Sequence, residues 1–240
     1  MWNMAGKVKN KQLDAMELMI KSIKIDNPGI EEEILKAFRV CDRRFFVKQD
    51  AYVDLPQHIA HGQTISQPST VAKMIRVLRL EKHLDILEVG ANTGYHASLV
   101  AWLVWPGRVV TMEIFRDLAK MARKNIVKLI RANKKIKLKV KVIGGDALKR
   151  KGEMWKHRYD RIYFTASVEQ NKIEDVKKMA LFLLNDKGLL LYPTREAWDY
   201  GALELWEKNG KELKLLMRET GYAFVPLLRR QDLEELYSRG

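Results

Sequence analysis

From position 84 onward, short apolar runs rich in β-branched residues alternate with longer stretches whose apolar residues recur every three or four positions. The runs at 85–89, 108–113, 138–143, 159–164 and 188–192 predict strands, and the stretches at 95–104, 115–131 and 172–184 predict helices between them. Successive strands joined through helices run parallel, so the alternation predicts an α/β fold with a mostly parallel sheet covered on both faces. Two further β segments, 203–206 and 213–218, are separated by Lys208-Asn209-Gly210-Lys211. That connection is too short for a helix and carries an Asn-Gly turn, so it predicts a C-terminal antiparallel hairpin and brings the sheet to seven strands. Ahead of the sheet, Leu13, Met16, Leu18, Met19, Ile20 and Ile23 predict a helix that Asn27-Pro28-Gly29 breaks, and a second helix follows over 30–40. Residues 1–80 therefore read as a helical extension and lid region and 81–240 as the core, within one structural domain overall.

Composition narrows the class. Hydrophobic residues make up 47% of 240, enough for a full core. No apolar run approaches the roughly 20 residues that span a bilayer. The opening residues lack the apolar stretch of a secretory signal, so a cytoplasmic protein without membrane contact is expected. Cys41 is the only cysteine, which excludes an intrachain disulfide and a metal cluster on cysteines. His58 and His61 lie three apart without a partner carboxylate or cysteine at ligand spacing, so no metal is expected. The net charge of +14 is concentrated between Arg123 and Arg158, where 14 lysines and arginines face only Asp146 and Glu153. Such a run is either a contact face for nucleic acid or an acidic protein, or the solvated surface of a heat-stable protein. With Trp155 as the only aromatic inside it, the solvated surface is the preferred reading.

Three strand ends carry candidate chemistry. Asp85-Ile86-Leu87-Glu88-Val89-Gly90-Ala91-Asn92-Thr93-Gly94-Tyr95 reads as a buried strand, a tight glycine turn and a helix start. Glycine lets backbone approach a ligand there, and the helix offers free N–H groups. Glu88 is placed to meet the ammonium of an amino-acid moiety. Glu113 ends the next strand, 23 residues after Gly90, where an acid can hydrogen-bond both hydroxyls of a ribose. Gly144-Gly145-Asp146-Ala147 follows the third strand, where the aspartate can hold an adenine amino group. Each element alone has an ordinary explanation: a packing turn, a surface acid, a helix cap. Three on successive strand ends point to a nucleoside cofactor. The absence of a phosphate-type Gly-x-Gly-x-x-Gly favours S-adenosylmethionine over NAD.

Upstream, His61-Gly62-Gln63-Thr64-Ile65-Ser66-Gln67-Pro68 resembles the Gly-Gln-Thr-Ile-Ser-x-Pro signature of the protein-L-isoaspartate O-methyltransferases. Arg44-Phe45-Phe46-Val47, Ala51-Tyr52, Leu87-Glu88-Val89-Gly90, Tyr159-Asp160-Arg161-Ile162, Thr165-Ala166 and Phe224-Val225-Pro226-Leu227 are similar to further pieces of that family, so the resemblance spans about 34–228. It implies a Rossmann-like, S-adenosylmethionine-dependent methyltransferase fold and a monomer. It also implies that Gln63, Thr64 and Ile65 join Glu88, Gly90, Ala91, Asn92 and Gly94 around the cofactor, with Glu113, Ile114, Asp146 and Ala147 completing that site. Ser66, Thr165 and Ala166 would then meet the substrate, an isoaspartyl residue in a damaged protein.

The implied chemistry needs no strong base. A carboxylate with a pKa near about 3.5–4 is already ionised at neutral pH and can attack a methyl group directly, so catalysis is mainly positioning. Ser66 would orient that carboxylate; its alternative role is to cap the helix beginning near Pro68. Amino-methylating relatives of the fold carry an Asn/Asp-Pro-Pro-aromatic motif where this chain has Phe164-Thr165-Ala166-Ser167, and Cys41 lies outside any nucleophile context. Methylation of another substrate, RNA included, and cofactor binding without turnover are the alternatives. The chain departs from the family pattern at Asn92 and Ala147, and in Ser167-Val168-Glu169-Gln170 and Tyr192-Pro193-Thr194-Arg195.

Overall fold

The structure, a computed structural model, describes residues 3–196 and 200–238. Helices α1 (Asn3–Asp26) and α2 (Glu32–Val40) open the chain, followed by the short strands β1 (Gln57–His58) and β2 (Thr64–Ile65) and helix α3 (Pro68–Val77). The core then runs β3 (Asp85–Val89), α4 (Tyr95–Leu103), β4 (Arg108–Glu113), α5 (Arg116–Ala132), β5 (Val140–Gly144), β6 (Tyr159–Phe164), α6 (Ile173–Leu183), β7 (Leu184–Pro193), β8 (Tyr200–Asn209), β9 (Glu212–Ala223) and α7 (Arg230–Ser238).

The seven-stranded sheet has the order β5-β4-β3-β6-β7-β8-β9. Its first five strands are parallel, and β8 and β9 are antiparallel to their neighbours, as the pattern predicts. After β3 the chain builds outward to β5, then returns to place β6 on the other side of β3. The strand order therefore reverses between β3 and β6, and the crevice at their carboxyl ends is the natural ligand site of such a sheet.

Each face of the sheet has its own apolar cluster. One joins Met19, Ile20 and Ile23 of α1 and Phe38 of α2 to Ile86, Leu99, Tyr163 and Leu191, so the N-terminal helices and the sheet share a core. The other packs Leu87, Val89, Ile162 and Phe164 against Val176, Met179 and Leu183 of α6. Helix α1 buries Met16, Met19, Ile20 and Ile23, spaced for one helical face, whereas Leu13 and Leu18 are exposed. Leu18 falls on the opposite side of the helix, which the apolar count alone conceals. Asn27 ends α1 by donating from its side chain to Ile23 O and Ser69 O, at 3.2 and 3.1 Å.

Strands β8 and β9 extend well past 203–206 and 213–218, and α7 and the β1–β2 pair add to the predicted elements. β1 and β2 pair in antiparallel register, Gln57 with Ile65 and His58 with Thr64, and fold the segment 59–63 into a loop. The first divergent loop meets the C-terminal segment, Ser167 bridging Pro226, and the two divergent loops meet each other, Val168 bridging Thr194.

Candidate functional site

The turn after β3 is the hinge of the site. The N–H groups of Gly90 and Ala91 both donate to Met112 O, at 2.8 and 2.9 Å, which folds the turn over the end of β4. Gly90 has φ +103, and a Cβ there would lie 2.1 Å from Thr165 Oγ1. Only glycine fits. Asn92 has φ +52, a left-handed conformation that asparagine adopts more readily than most residues, so its departure from the family glycine is accommodated. Its Nδ2 donates to Thr64 O at 2.6 Å and ties the signature loop to the turn.

Glu113 closes the second side. Its Oε2 accepts the Asn92 N–H at 2.7 Å and its Oε1 accepts the Phe115 N–H at 3.1 Å. Burial pushes its carboxyl above the usual range, while these N–H groups pull it back toward the ionised form. Each oxygen keeps lone-pair capacity for a further donor, as a ribose hydroxyl pair requires. Asp146 accepts the N–H of Leu148 at 2.9 Å and that of Arg230 at 3.2 Å, with the Arg229 guanidinium 3.7 Å away. The C-terminal segment thus holds the aspartate in place.

Between these groups lies a cleft of about 520 Å³, walled by Gln63, Gly90, Glu113, Ile114, Asp146, Ala147, Thr165 and Ala166, all expected from the sequence. Phe115, Leu148 and the run Val225-Pro226-Leu227-Leu228 complete it without having been singled out as site residues. The family-like Phe224-Val225-Pro226-Leu227 piece was the available signal for the last of these. His61 lies flat on Phe115, with ring centroids 4.3 Å apart, and its Nε2 meets Asp117 Oδ2 at 2.7 Å, which makes it a loop anchor.

A smaller, narrow chamber adjoins the cleft, and Gly90 and Thr165 line both. Thr64, Ile65, Ser66, Ala91, Asn92, Thr93, Tyr95 and His96 form its walls. Four buried polar atoms here, Asn92 Oδ1, Thr93 Oγ1, Tyr95 OH and His96 Nε2, have no protein partner. Burial drives the His96 pKa down to about 3, so its imidazole is neutral. Helix α3 has Gln67 at its N-cap without a side-chain cap bond. Asp54 Oδ1 instead accepts the Ser69 N–H at 2.8 Å, so the capping role considered for Ser66 is not the one it plays.

Of the expected cofactor contacts, Thr64, Ile65, Ala91 and Asn92 wall only the chamber, and Gly94 and Glu88 line neither space. Gly94, at φ +87, is the N-cap of α4 and lies against Ile126 and Ala122 of α5. Glu88 is fully buried and lines neither space: Thr111 Oγ1 and Tyr163 OH donate to its carboxylate, the latter at 2.7 Å. Strand parity turns it away from the cleft, and its two hydroxyl partners occupy it beneath the chamber. Glu88 pairs laterally with Thr111 and Tyr163, and all three share the sheet face of Ile86. Burial raises its pKa to about 8, against which the two hydroxyl donors act.

These residues fit an adenosyl cofactor. The turn at Gly90 is a cradle that a Cβ would fill, Glu113 and Asp146 offer acceptors at two strand ends, and unpartnered polar atoms line the adjoining chamber. Among the described residues, no cluster of His, Cys, Asp and Glu is arranged to hold a metal ion.

Comparison with known proteins agrees with the geometry. The chain is 36% identical over 228 residues to a protein-L-isoaspartate O-methyltransferase of Methanopyrus kandleri, covering 92% of this chain and 94% of that one. It is 37% identical over 224 residues to one of Thermococcus sibiricus, covering 88% and 93%. A beta-aspartate methyltransferase from Plasmodium falciparum, solved in complex with S-adenosyl-L-homocysteine, superposes with a TM-score of 0.75 at 23% identity, covering 90% of this chain and 99% of that one. The profile of the protein-L-isoaspartate(D-aspartate) O-methyltransferases matches residues 15–232, which takes in both walls of the cleft, the signature loop and the C-terminal segment; the chain belongs to this family.

Proposed function

We propose that the chain transfers a methyl group from S-adenosylmethionine to the free α-carboxylate of L-isoaspartyl residues in damaged proteins. The observation that carries this reading is that Gly90 and Thr165 wall both the cleft and the chamber. A nucleoside held in the one and a carboxylate held beside Ser66 in the other meet at a single shared edge.

When bound, the cofactor supplies an electrophilic sulfonium methyl. Glu113 and the glycine turn hold the nucleoside, and Asp146 stands where the adenine amino group is recognised. Ser66 offers its hydroxyl as donor to the incoming carboxylate, and Thr165 fixes the boundary by donating to Gly90 O at 2.8 Å. No general base is needed, because the attacking carboxylate is already ionised. His96, neutral and buried, leaves the chamber uncharged on that side. The apolar wall of Val225, Leu227 and Leu228 keeps water from competing for the methyl group.

None of the described helices is long and apolar enough to cross a membrane. Residence in the cytoplasm, which follows the composition, and a monomeric state, which follows the family resemblance, are part of the same proposal. Methyl transfer from labelled cofactor to paired isoaspartyl and aspartyl peptides is the test. Base-labile label on the isoaspartyl peptide alone is expected; equal label on both, or none on either, overturns the proposal.

A further inference from the structure

Fourteen lysines and arginines lie between Arg123 and Arg158 against two acids. Were this the ion-pair lattice of a heat-stable surface, the cations would be matched to carboxylates. They are not. Among the described residues, the one ion pair these cations form is Lys141 with Glu153, both exposed. Asp146 pairs with Arg229, outside the run. Unneutralised charge of one sign is costly self-repulsion unless a partner of the other sign relieves it.

The fold sets this charge along the open edge of the sheet, where β5 is the last strand. A groove follows that edge, lined by Arg108, Lys139, Lys141, Glu153, Val110 and Met154; Arg108 is paired with Asp85 at 3.0 Å, which leaves Lys139 and Lys141 as its contribution to the basic run. Lys139 and Lys141 stand two residues apart, roughly 6.6 Å along an extended strand. The 3-10 turn Glu153–Lys156 and His157 line the groove through Glu153, Met154 and His157, and the next residue, Arg158, belongs to a second feature. The exposed guanidinium groups of Arg150 and Arg158 lie 4.3 and 4.7 Å from the ring centroid of Phe182, which is itself 37% exposed. The Trp155 ring supports Phe182 from 5.8 Å. Arginines held against an aromatic ring are planar cations with restricted freedom, a surface on which nucleobases stack.

We propose that this face binds single-stranded RNA, with phosphates along Lys139 and Lys141 and bases against the Arg150–Phe182–Arg158 cluster. It is a docking surface and not a methylation site. An acidic protein would use the lysines equally well but has no use for the aromatic–guanidinium cluster, which is why the nucleic acid is favoured.

The test is fluorescence anisotropy of a labelled oligouridine against the full chain over a salt series. Wild type should bind, with an affinity falling log-linearly with salt by about 0.7 per phosphate contacted. The set K139Q/K141Q/R150Q/R158Q should weaken binding by at least about tenfold and make the salt slope shallower by about 2–3. The same variant should keep its rate on isoaspartyl peptides within about twofold, since exposed charges are screened beyond roughly 8–10 Å. If the fourfold variant fails to fold, K139Q/K141Q and R150Q/R158Q are measured as separate pairs. No binding by wild type at low salt, unchanged binding by the variants, or displacement by polyglutamate as effective as by unlabelled oligouridine each overturns the proposal. Because the probe is bound without methyl transfer, failure of the methylation reading leaves this result intact.

Discussion

The hydroxyl of Thr165, at the end of β6, donates to the carbonyl oxygen of Gly90 at 2.8 Å and so fastens two adjacent strand ends around one glycine. Any side chain at position 90 would meet that hydroxyl oxygen at 2.1 Å and would also need φ +103. Gly90→Ala should therefore lower cofactor affinity by at least about tenfold and destabilise the fold by about 1 kcal/mol or more. Removing the obstructing hydroxyl as well, in Gly90→Ala with Thr165→Ala, should cost less than the two single changes added together. Calorimetric titration and thermal melts of the four proteins decide it. Strict additivity would mean that the contact does not constrain the turn.

Glu113→Ala should weaken S-adenosylmethionine binding by roughly 1.5–3 kcal/mol, the scale for hydrogen bonds to a charged group. Part of any loss will come from the turn, because Glu113 also accepts the Asn92 N–H. Glu113→Gln separates the two. It keeps an acceptor for Asn92 and should recover turn stability in a melt while still binding the cofactor less tightly. Unchanged affinity in both variants would remove Glu113 from the site.

Ser66→Ala should slow methylation by roughly 10–150-fold while changing cofactor affinity less, the cost of one orienting hydrogen bond to a carboxylate. Ser66→Thr should restore part of the rate unless its methyl crowds the chamber. Rapid-quench mass spectrometry of wild type checks the role directly. A methyl group trapped on Ser66 ahead of product would replace positioning by nucleophilic catalysis.

Glu88 makes stability depend on pH. Its folded pKa, about 8, lies above the ordinary glutamate value of 4.5, so the folded protein binds the extra proton between those values. The associated stability is fully present below about pH 4.5 and is lost as pH rises through 8. His96 has the opposite sign: with its pKa depressed to about 3 from 6.5, its contribution is present above pH 6.5 and lost as pH falls. Glu88→Gln should therefore flatten the decline in melting temperature from pH 6 to 8.5 and leave the acid limb unchanged. An equally steep alkaline decline in the variant would show that Glu88 is ionised throughout.

Legibility in the sequence followed distance along the chain. The strand at 85–89 could be read because four consecutive residues, 86–89, are buried on both sides of a parallel sheet, and Asn209-Gly210 announced its hairpin locally. The full length of β9 was hidden because its later residues, Arg218-Glu219-Thr220, break the apolar alternation while still pairing with β8, and Gly221 is skipped at a bulge before pairing resumes at Tyr222. The orientation of Glu88 depended on Thr111 and Tyr163, 23 and 75 residues away, whose hydroxyls no local pattern assigns to it. Asp146 was recognised from the Gly-Gly-Asp run, but its hold by Arg229 and Arg230 spans more than eighty residues. Local signals named the strand ends, and tertiary pairing decided which side chains face the cleft.

The wall formed by Val225, Pro226, Leu227 and Leu228 has a consequence for biosynthesis. Every other wall of the cofactor cleft, from Gln63 to Ala166, is translated before it. A chain ending at Phe224 would carry the glycine turn and Glu113 on a complete sheet, yet Asp146 would lack Arg229 and Arg230 and the nucleoside would stand open to water on one side. Cofactor retention in this protein therefore reports that translation has passed the last wall, and a ribosome-bound intermediate should release the ligand that the finished chain keeps.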